Sequence, residues 1–174
     1  EDLQVDYVDL FLIHWPLPTL YDGNFIQTWE ALQEFYEDGR ARAIGLSNFL
    51  EHHIQPILDQ CDVKPMVNQV EAHPYMQIPE LHAFHDKHQI VTEAWSPLAR
   101  GDVVDDPVLT KIGEPYGKTA SQVALRWALQ RGDIVFPKSM HQARMRENFE
   151  LFDFELTDED MRAIQALDQG DDGR

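Results

Sequence analysis

Apolar side chains along this chain follow two rhythms that alternate. A short continuous run at residues 8–13 ("VDLFLI") is followed by residues 25–38 ("FIQTWEALQEFYED"), where Ile26, Trp29, Leu32, Phe35 and Tyr36 recur at three- and four-residue spacing before Gly39. The first pattern predicts a strand, and the second a helix with one apolar face and a glycine stop. "ARAIGLSN" is the next short run. It predicts a strand ending at Ser47 and Asn48, then a helix that Asn48 and Glu51 would open as a capping box, with Ile54, Ile57 and Leu58 as its buried stripe. "PMVNQVEAHP" ends near Gln69 and Glu71, and Pro79 opens a helix at a position where its missing N–H costs nothing. "IVTEAWSPL" precedes a helical region over 107–131 that breaks at "EPYGKT" and restarts at Thr119, with Gln122 completing its cap. "DIVFPKS" leads into "QARMRENFELF", and the capped helix "TDEDMRAIQALD" closes the chain.

Strand and helix thus alternate five times. The strands read as continuous apolar runs, which implies burial on both faces: a parallel sheet with helices outside, in the α/β class. An open doubly wound sheet would carry G-x-G-x-x-G after a strand, and this sequence has no such motif. A closed barrel needs eight strand–helix units over roughly 250 residues, so with five units either the sheet is open or three units are absent.

Charge narrows the possible partners. Fourteen basic against 31 acidic side chains leave a formal −17, a field that repels phosphate backbones; no nucleic-acid partner is expected, and an anionic ligand needs a local basic pocket. Cys61 is the only cysteine, which excludes an intramolecular disulfide and suits a reducing compartment; it is expected to pack as a small apolar residue. With no apolar stretch near the ~20 residues of a membrane span and no signal segment, the expectation is a cytoplasmic protein with no membrane partner, residues 1–174 forming a single domain. The chain opens on Glu1, not Met, a few residues before a strand, and so reads as a truncated piece.

In parallel barrels reactive groups cluster where strands end. Here the ends read His14-Trp15-Pro16, Ser47-Asn48, Gln69 to His73, Trp95-Ser96-Pro97 and Lys138-Ser139, all polar after apolar runs. Each has a plainer explanation. His14 can be satisfied by a backbone carbonyl, Asn48 can serve as a helix cap, and Trp95 can be a core aromatic. Lys138 and Arg144 can be solvated surface charge, although two cations beside a helix start favour an anion in so acidic a chain. Two other constellations are weak. His82, His85 and His88 rotate about 60° apart around a helix and make no compact metal set. Glu71 and Glu93 resemble a glycosidase pair only in residue type.

"DYVDLFLIHWP", "GLSNF", "NQVEAHP", "EAWSPLA" and "PKS" with "RMREN" behind it occur together over nearly the whole chain. In that order and spacing the chain resembles the aldo-keto reductases, most closely bacterial members related to diketogluconate reductases. The resemblance implies the last five or so units of a (β/α)₈ barrel, from strand four onward, binding NADP(H) in extended form without a Rossmann motif and reducing a small-molecule aldehyde or ketone to an alcohol. It implies that His14 orients the substrate carbonyl and that Ser47, Asn48 and Gln69 hold the nicotinamide carboxamide. Trp95 would stack on the ring, with Ser96 and Leu98 as further cofactor contacts. Lys138, Ser139 and Arg144 would take the adenosine 2′-phosphate, leaving Glu147 and Asn148 for adenine. No metal is implied. The family's proton-donating tyrosine and its lysine and aspartate partners lie on earlier strands and are not in this sequence, so the isolated chain is expected to be catalytically incomplete. It is also expected to self-associate through open barrel edges. A nucleotide-binding module without turnover, or a half-barrel assembly fragment, is the alternative.

Overall fold

The computed structural model describes residues 4–17, 19–20 and 24–173. Five parallel strands, β1 (Phe11–Ile13), β2 (Ile44–Ser47), β3 (Val67–Glu71), β4 (Val91–Trp95) and β5 (Ile134–Val135), lie in the order β1-β2-β3-β4-β5. Each strand neighbours the next in sequence, with no reversal of order such as a doubly wound sheet requires. The helices are α1 (Phe25–Glu37), α2 (Glu51–Gln60), α3 (Pro79–His88), α4 (Pro107–Gly113), α5 (Ala120–Gln130), α6 (Gln142–Glu147) and α7 (Asp158–Gln165). The chain divides into two compact units, Glu1–Val70 with Glu80–Thr92, and Glu71–Pro79 with Glu93–Arg174.

In the first unit the register pairs Leu12 with Gly45 and Gly45 with Val67. Gly45 allows this close approach: a Cβ there would fall on the Val67 carbonyl oxygen and 2.8 Å from a Leu12 methyl. Trp29, Ile44, Leu46, Phe49, Ile54 and Ile57 are fully buried and form the apolar core, and the indole of Trp29 donates to the Val63 carbonyl at 2.9 Å. The double burial expected of every strand holds for β2 and for most of β3. It fails on β1, which is only three residues long and leaves Phe11 exposed, because β1 is an outer strand of the sheet. Val8, read as part of that strand, makes an isolated bridge to Ala41.

The helix ends follow the sequence in most places. Asp38 caps α1 and Gly39 turns left-handed after it, at φ +76°. Thr119 and Gln122 form the predicted reciprocal cap of α5, and Thr157 opens α7 the same way with Asp160. The cap assigned to Asn48 is a correction: α2 begins after Leu50, whose N–H donates to His53 Nδ1 at 3.2 Å. In the second unit α4, α5 and α7 enclose a core that includes Leu109, Val123, Trp127, Leu156 and Ile164.

The three histidines of α3 take separate partners. His85 is buried and bridges Asn68 Nδ2 and Thr92 Oγ1 at 2.9 Å each, while His82 meets Asp86 at 3.3 Å and the His88 ring lies 4.5 Å from Phe84. Because the Asn68 amide donates, His85 Nε2 accepts and the ring proton sits on Nδ1, facing the threonine hydroxyl. Desolvation, helped by the nearby His82 and opposed by Asp86, pulls the His85 pKa down to about 4 from its ordinary 6.5. The unfolded chain therefore binds this proton first, and stability falls as pH drops from 6.5 toward 4, by roughly 3 kcal/mol over the whole window. Urea midpoints across that range test this: His85→Gln should show a visibly flatter decline than the parent, and an unchanged slope would remove His85 as its source.

Candidate functional site

In the first unit, parallel pairing sets the ends of β1, β2 and β3 side by side. His14 follows β1 with its side chain exposed, while Ser47, the last residue of β2, is buried. The Ser47 hydroxyl donates to the Gln69 carbonyl at 2.9 Å, and the Asn48 N–H donates to the same oxygen at 2.9 Å. Asn48 turns left-handed, at φ +62°, a conformation its short amide tolerates better than most side chains do. That turn aims its Nδ2 at the His14 carbonyl and at Ser47 Oγ, both at 3.0 Å. Four residues picked out in the sequence are thus brought together, though not in equal roles. Ser47 stands behind Asn48 with its proton already committed, and Asn48 fixes the backbone from which the His14 ring projects.

The second unit contains a cleft of about 560 Å³. Ser96, Leu98, Lys138, Ser139 and Arg144, all predicted positions, line it, and so do Glu147 and Asn148. Trp95 is half-buried at the end of β4, just before this lining begins. Ser96 has φ +50°, and Ala99 and Arg100 are also left-handed, at +47° and +57°. Three non-glycine residues in that region within five positions amount to stored backbone strain, held in place by the surrounding contacts. Arg100 is held by Glu71, whose buried Oε1 lies 3.5 Å from Arg100 Nη2. His73 Nε2 approaches the same oxygen at 3.8 Å. Burial first and the Arg100 charge second hold the His73 pKa below its ordinary value against Asp102 and Asp168, so this is contact with a neutral ring.

Arg100 and Thr119 line the cleft too, and the sequence reading missed both. Arg100 follows "SPLA" by a single residue, a signal that could have found it. Thr119 was fully accounted for as a cap, which hid its second contact: its hydroxyl donates to Glu147 Oε1. The anion argument built on the start of α6 is also corrected. That helix has six residues, too few turns for a useful macrodipole, and Arg144 sits in its last turn. The positive character of the cleft rests instead on side chains. Among the described lining residues Arg100, Lys138 and Arg144 face a single acid, Glu147, in a chain of net charge −17. With Leu98, Val104 and Phe136 as apolar walls, this lining suits an elongated anionic molecule with a flat ring system. Among the described residues no three of His, Cys, Asp and Glu are grouped to hold a metal, and no helix is long and apolar enough to cross a membrane.

Residues 1–169 match the model of the aldo/keto reductase family, and the chain belongs to that family. It is 48% identical to the glyoxal reductase of Bacillus subtilis (strain 168), across 97% of this chain and 60% of that protein. It is 42% identical to the methylglyoxal reductase DkgA of Escherichia coli (strain K12), across 98% of this chain and 62% of that protein. A crystal structure of a Gox0644 variant in complex with NADPH superposes with a TM-score of 0.92 at 46% identity, across 97% of this chain and 61% of that one. The chain thus spans about 60% of the length of these relatives, and its α/β fold is a partial (β/α)₈ barrel of five consecutive strand–helix units.

The Asn48 geometry makes a ranked prediction. Asn48→Ala loses the amide contacts and places a Cβ-bearing residue without compensation at φ +62°, at a cost of about 2 kcal/mol. Asn48→Gly relieves the backbone and loses only the side-chain bonds, so its urea midpoint should fall between those of Asn48→Ala and the parent. A glycine variant as stable as the parent would mean that the amide holds nothing.

Proposed function

We propose that this chain is the carboxyl-terminal portion of an NADP(H)-dependent carbonyl reductase that converts small aldehydes or ketones to alcohols. The observation that carries the proposal is the cleft in which three cations and one acid line an apolar slot; the NADPH complex of a close structural neighbour supports the choice of ligand. Lys138 and Arg144 take the 2′-phosphate by charge-assisted hydrogen bonds, Ser139 adds a hydroxyl, and Asn148 and Glu147 serve the adenine. Ser96 and Leu98 line the same molecule, and Trp95 offers its ring face to the nicotinamide. Asn48 and Gln69 hold the carboxamide, with Ser47 fixing Asn48 from behind.

When bound, the cofactor supplies a hydride to the substrate carbonyl carbon. The His14 ring, exposed at the end of β1, donates a hydrogen bond to the carbonyl oxygen and so fixes the face presented. An imidazole in this position orients and polarises. The proton for the alkoxide comes from a stronger general acid, a tyrosine on strand–helix units that the relatives carry and this sequence does not, and such an acid contributes roughly 10² to 10⁴ in rate. On this reading the chain alone binds cofactor and turns over poorly. Apolar side chains on the two outer strands, Phe11 of β1 and Ile134 of β5, are exposed, and we propose that they promote self-association.

Two measurements test the reading. In a barrel completed with the absent units, Arg144→Ala should weaken NADPH binding by about 1.5 to 3 kcal/mol and leave NADH nearly unchanged; equal losses for both would take Arg144 off the 2′-phosphate. Sedimentation of the chain alone over a dilution series, paired with NADPH oxidation on an aromatic aldehyde, should show concentration-dependent mass and negligible turnover. A concentration-independent monomer with normal turnover would overturn both the self-association and the need for an external proton donor.

A further inference from the structure

Helix α6 poses a packing question. It carries Arg144, and Asn148 caps its end, yet it has six residues, none of them buried, and no side-chain cap at its start. Met145 is 45% exposed, and beyond the helix Phe149 is 79% exposed, so apolar burial does not hold this segment down. Polar contacts from α5 do. Gln122, buried at the first turn of α5, donates from Nε2 to the Glu147 and Glu150 carbonyls at 3.1 Å each. The Thr119 hydroxyl donates to Glu147 Oε1 while accepting the Gln122 N–H at 3.3 Å. Gln122 Oε1 in turn accepts the Thr119 N–H at 3.1 Å. Both functional groups of the cap are thus used twice, once to start α5 and once to hold α6.

We propose that Thr119 and Gln122 are positioning residues for the 2′-phosphate and adenine contacts: the cap of α5 sets where Arg144, Glu147 and Asn148 stand in the cleft. The Thr119 hydroxyl occupies one carboxylate oxygen of Glu147 and so fixes the rotation of that group. Gln122 grips the backbone at and just beyond the end of α6, one turn from Arg144. The proposal rests on the cofactor reading above, and it adds that selectivity for a 2′-phosphate depends on two side chains that need not touch it.

Cap and anchor can be separated by substitution. Gln122→Glu keeps an acceptor for the Thr119 N–H, and glutamate is a favoured residue at this place in a capping box, but it has no donor for the Glu147 and Glu150 carbonyls. Thr119→Val removes the hydroxyl and Thr119→Ser restores it. Thr157→Val is the matched control, since it strips the same kind of cap from α7, whose residues do not line the cleft. Calorimetric titration of the full chain with adenosine 2′-monophosphate and adenosine 5′-monophosphate gives a preference ratio that uniform destabilisation does not move. Gln122→Glu and Thr119→Val should each lower the preference for the 2′-phosphate about fivefold, the effect of losing one positioning hydrogen bond, with Thr119→Ser and Thr157→Val near the parent. An unchanged ratio in Gln122→Glu, or an equal loss in Thr157→Val, overturns the proposal. A parent chain with no preference between the two nucleotides overturns the cofactor reading and this proposal with it.

Discussion

Parallel pairing is the constraint from which the candidate chemistry follows. A strand that must run in the same direction as its neighbour can be reached only through a crossover, so the chain alternates strand and helix and every strand in a unit ends on the same edge. In the first unit this sets the backbone after β1 beside that after β2 and β3, and the carbonyls of His14 and Gln69 become the fixed points on which Asn48 and Ser47 are hung. Gly45 matters for the same reason. With any side chain there, β2 could not lie this close to the Val67 backbone, and the register that brings Ser47 opposite Gln69 would be strained.

How much of this the sequence disclosed depended on whether the deciding interaction was local. The start of α5 was legible because Thr119 and Gln122 are three residues apart and cap each other; the end of α1 was legible because Gly39 supplies a left-handed stop. Asn48 was misjudged as a cap because Asn and Glu at that spacing satisfy the local rule, while the contact that wins lies 34 residues away at the His14 carbonyl. The second use of Thr119, 28 residues from Glu147, was invisible for the same reason. Residue types at the strand ends pointed to the cleft, but its charge was mis-sourced: the short length of α6 is a tertiary outcome, and Arg100 enters through strained backbone that no periodicity announces.

Electrostatics in the second unit work by contrast with the rest of the chain. A surface with 31 acids repels an anion at long range, so a phosphate-bearing ligand gains little from steering and depends on contact interactions within the cleft. Buried Glu71 helps to create that contrast. It sits against Arg100 from the protein side, holding the guanidinium at the cleft, while the desolvated neutral ring of His73 adds no competing positive charge beside it. Local excess of cation over acid, and not the net charge, decides which ligands the cleft accepts.

Holding α6 by polar contacts instead of apolar burial has an energetic consequence. Hydrogen bonds to exposed helix ends contribute on the order of 1 kcal/mol each, far less than the burial of a large side chain, so α6 belongs to the part of the unit that opens most readily. A ligand that bridges Arg144 and Asn148 to the better-buried residues of the β4 loop would then order this segment as it binds. Such ordering draws on the binding free energy, and the Thr119–Gln122 anchor reduces that cost by restricting α6 beforehand. A cap shared between two helices therefore accounts for how a fully exposed six-residue helix can carry residues whose placement must be accurate.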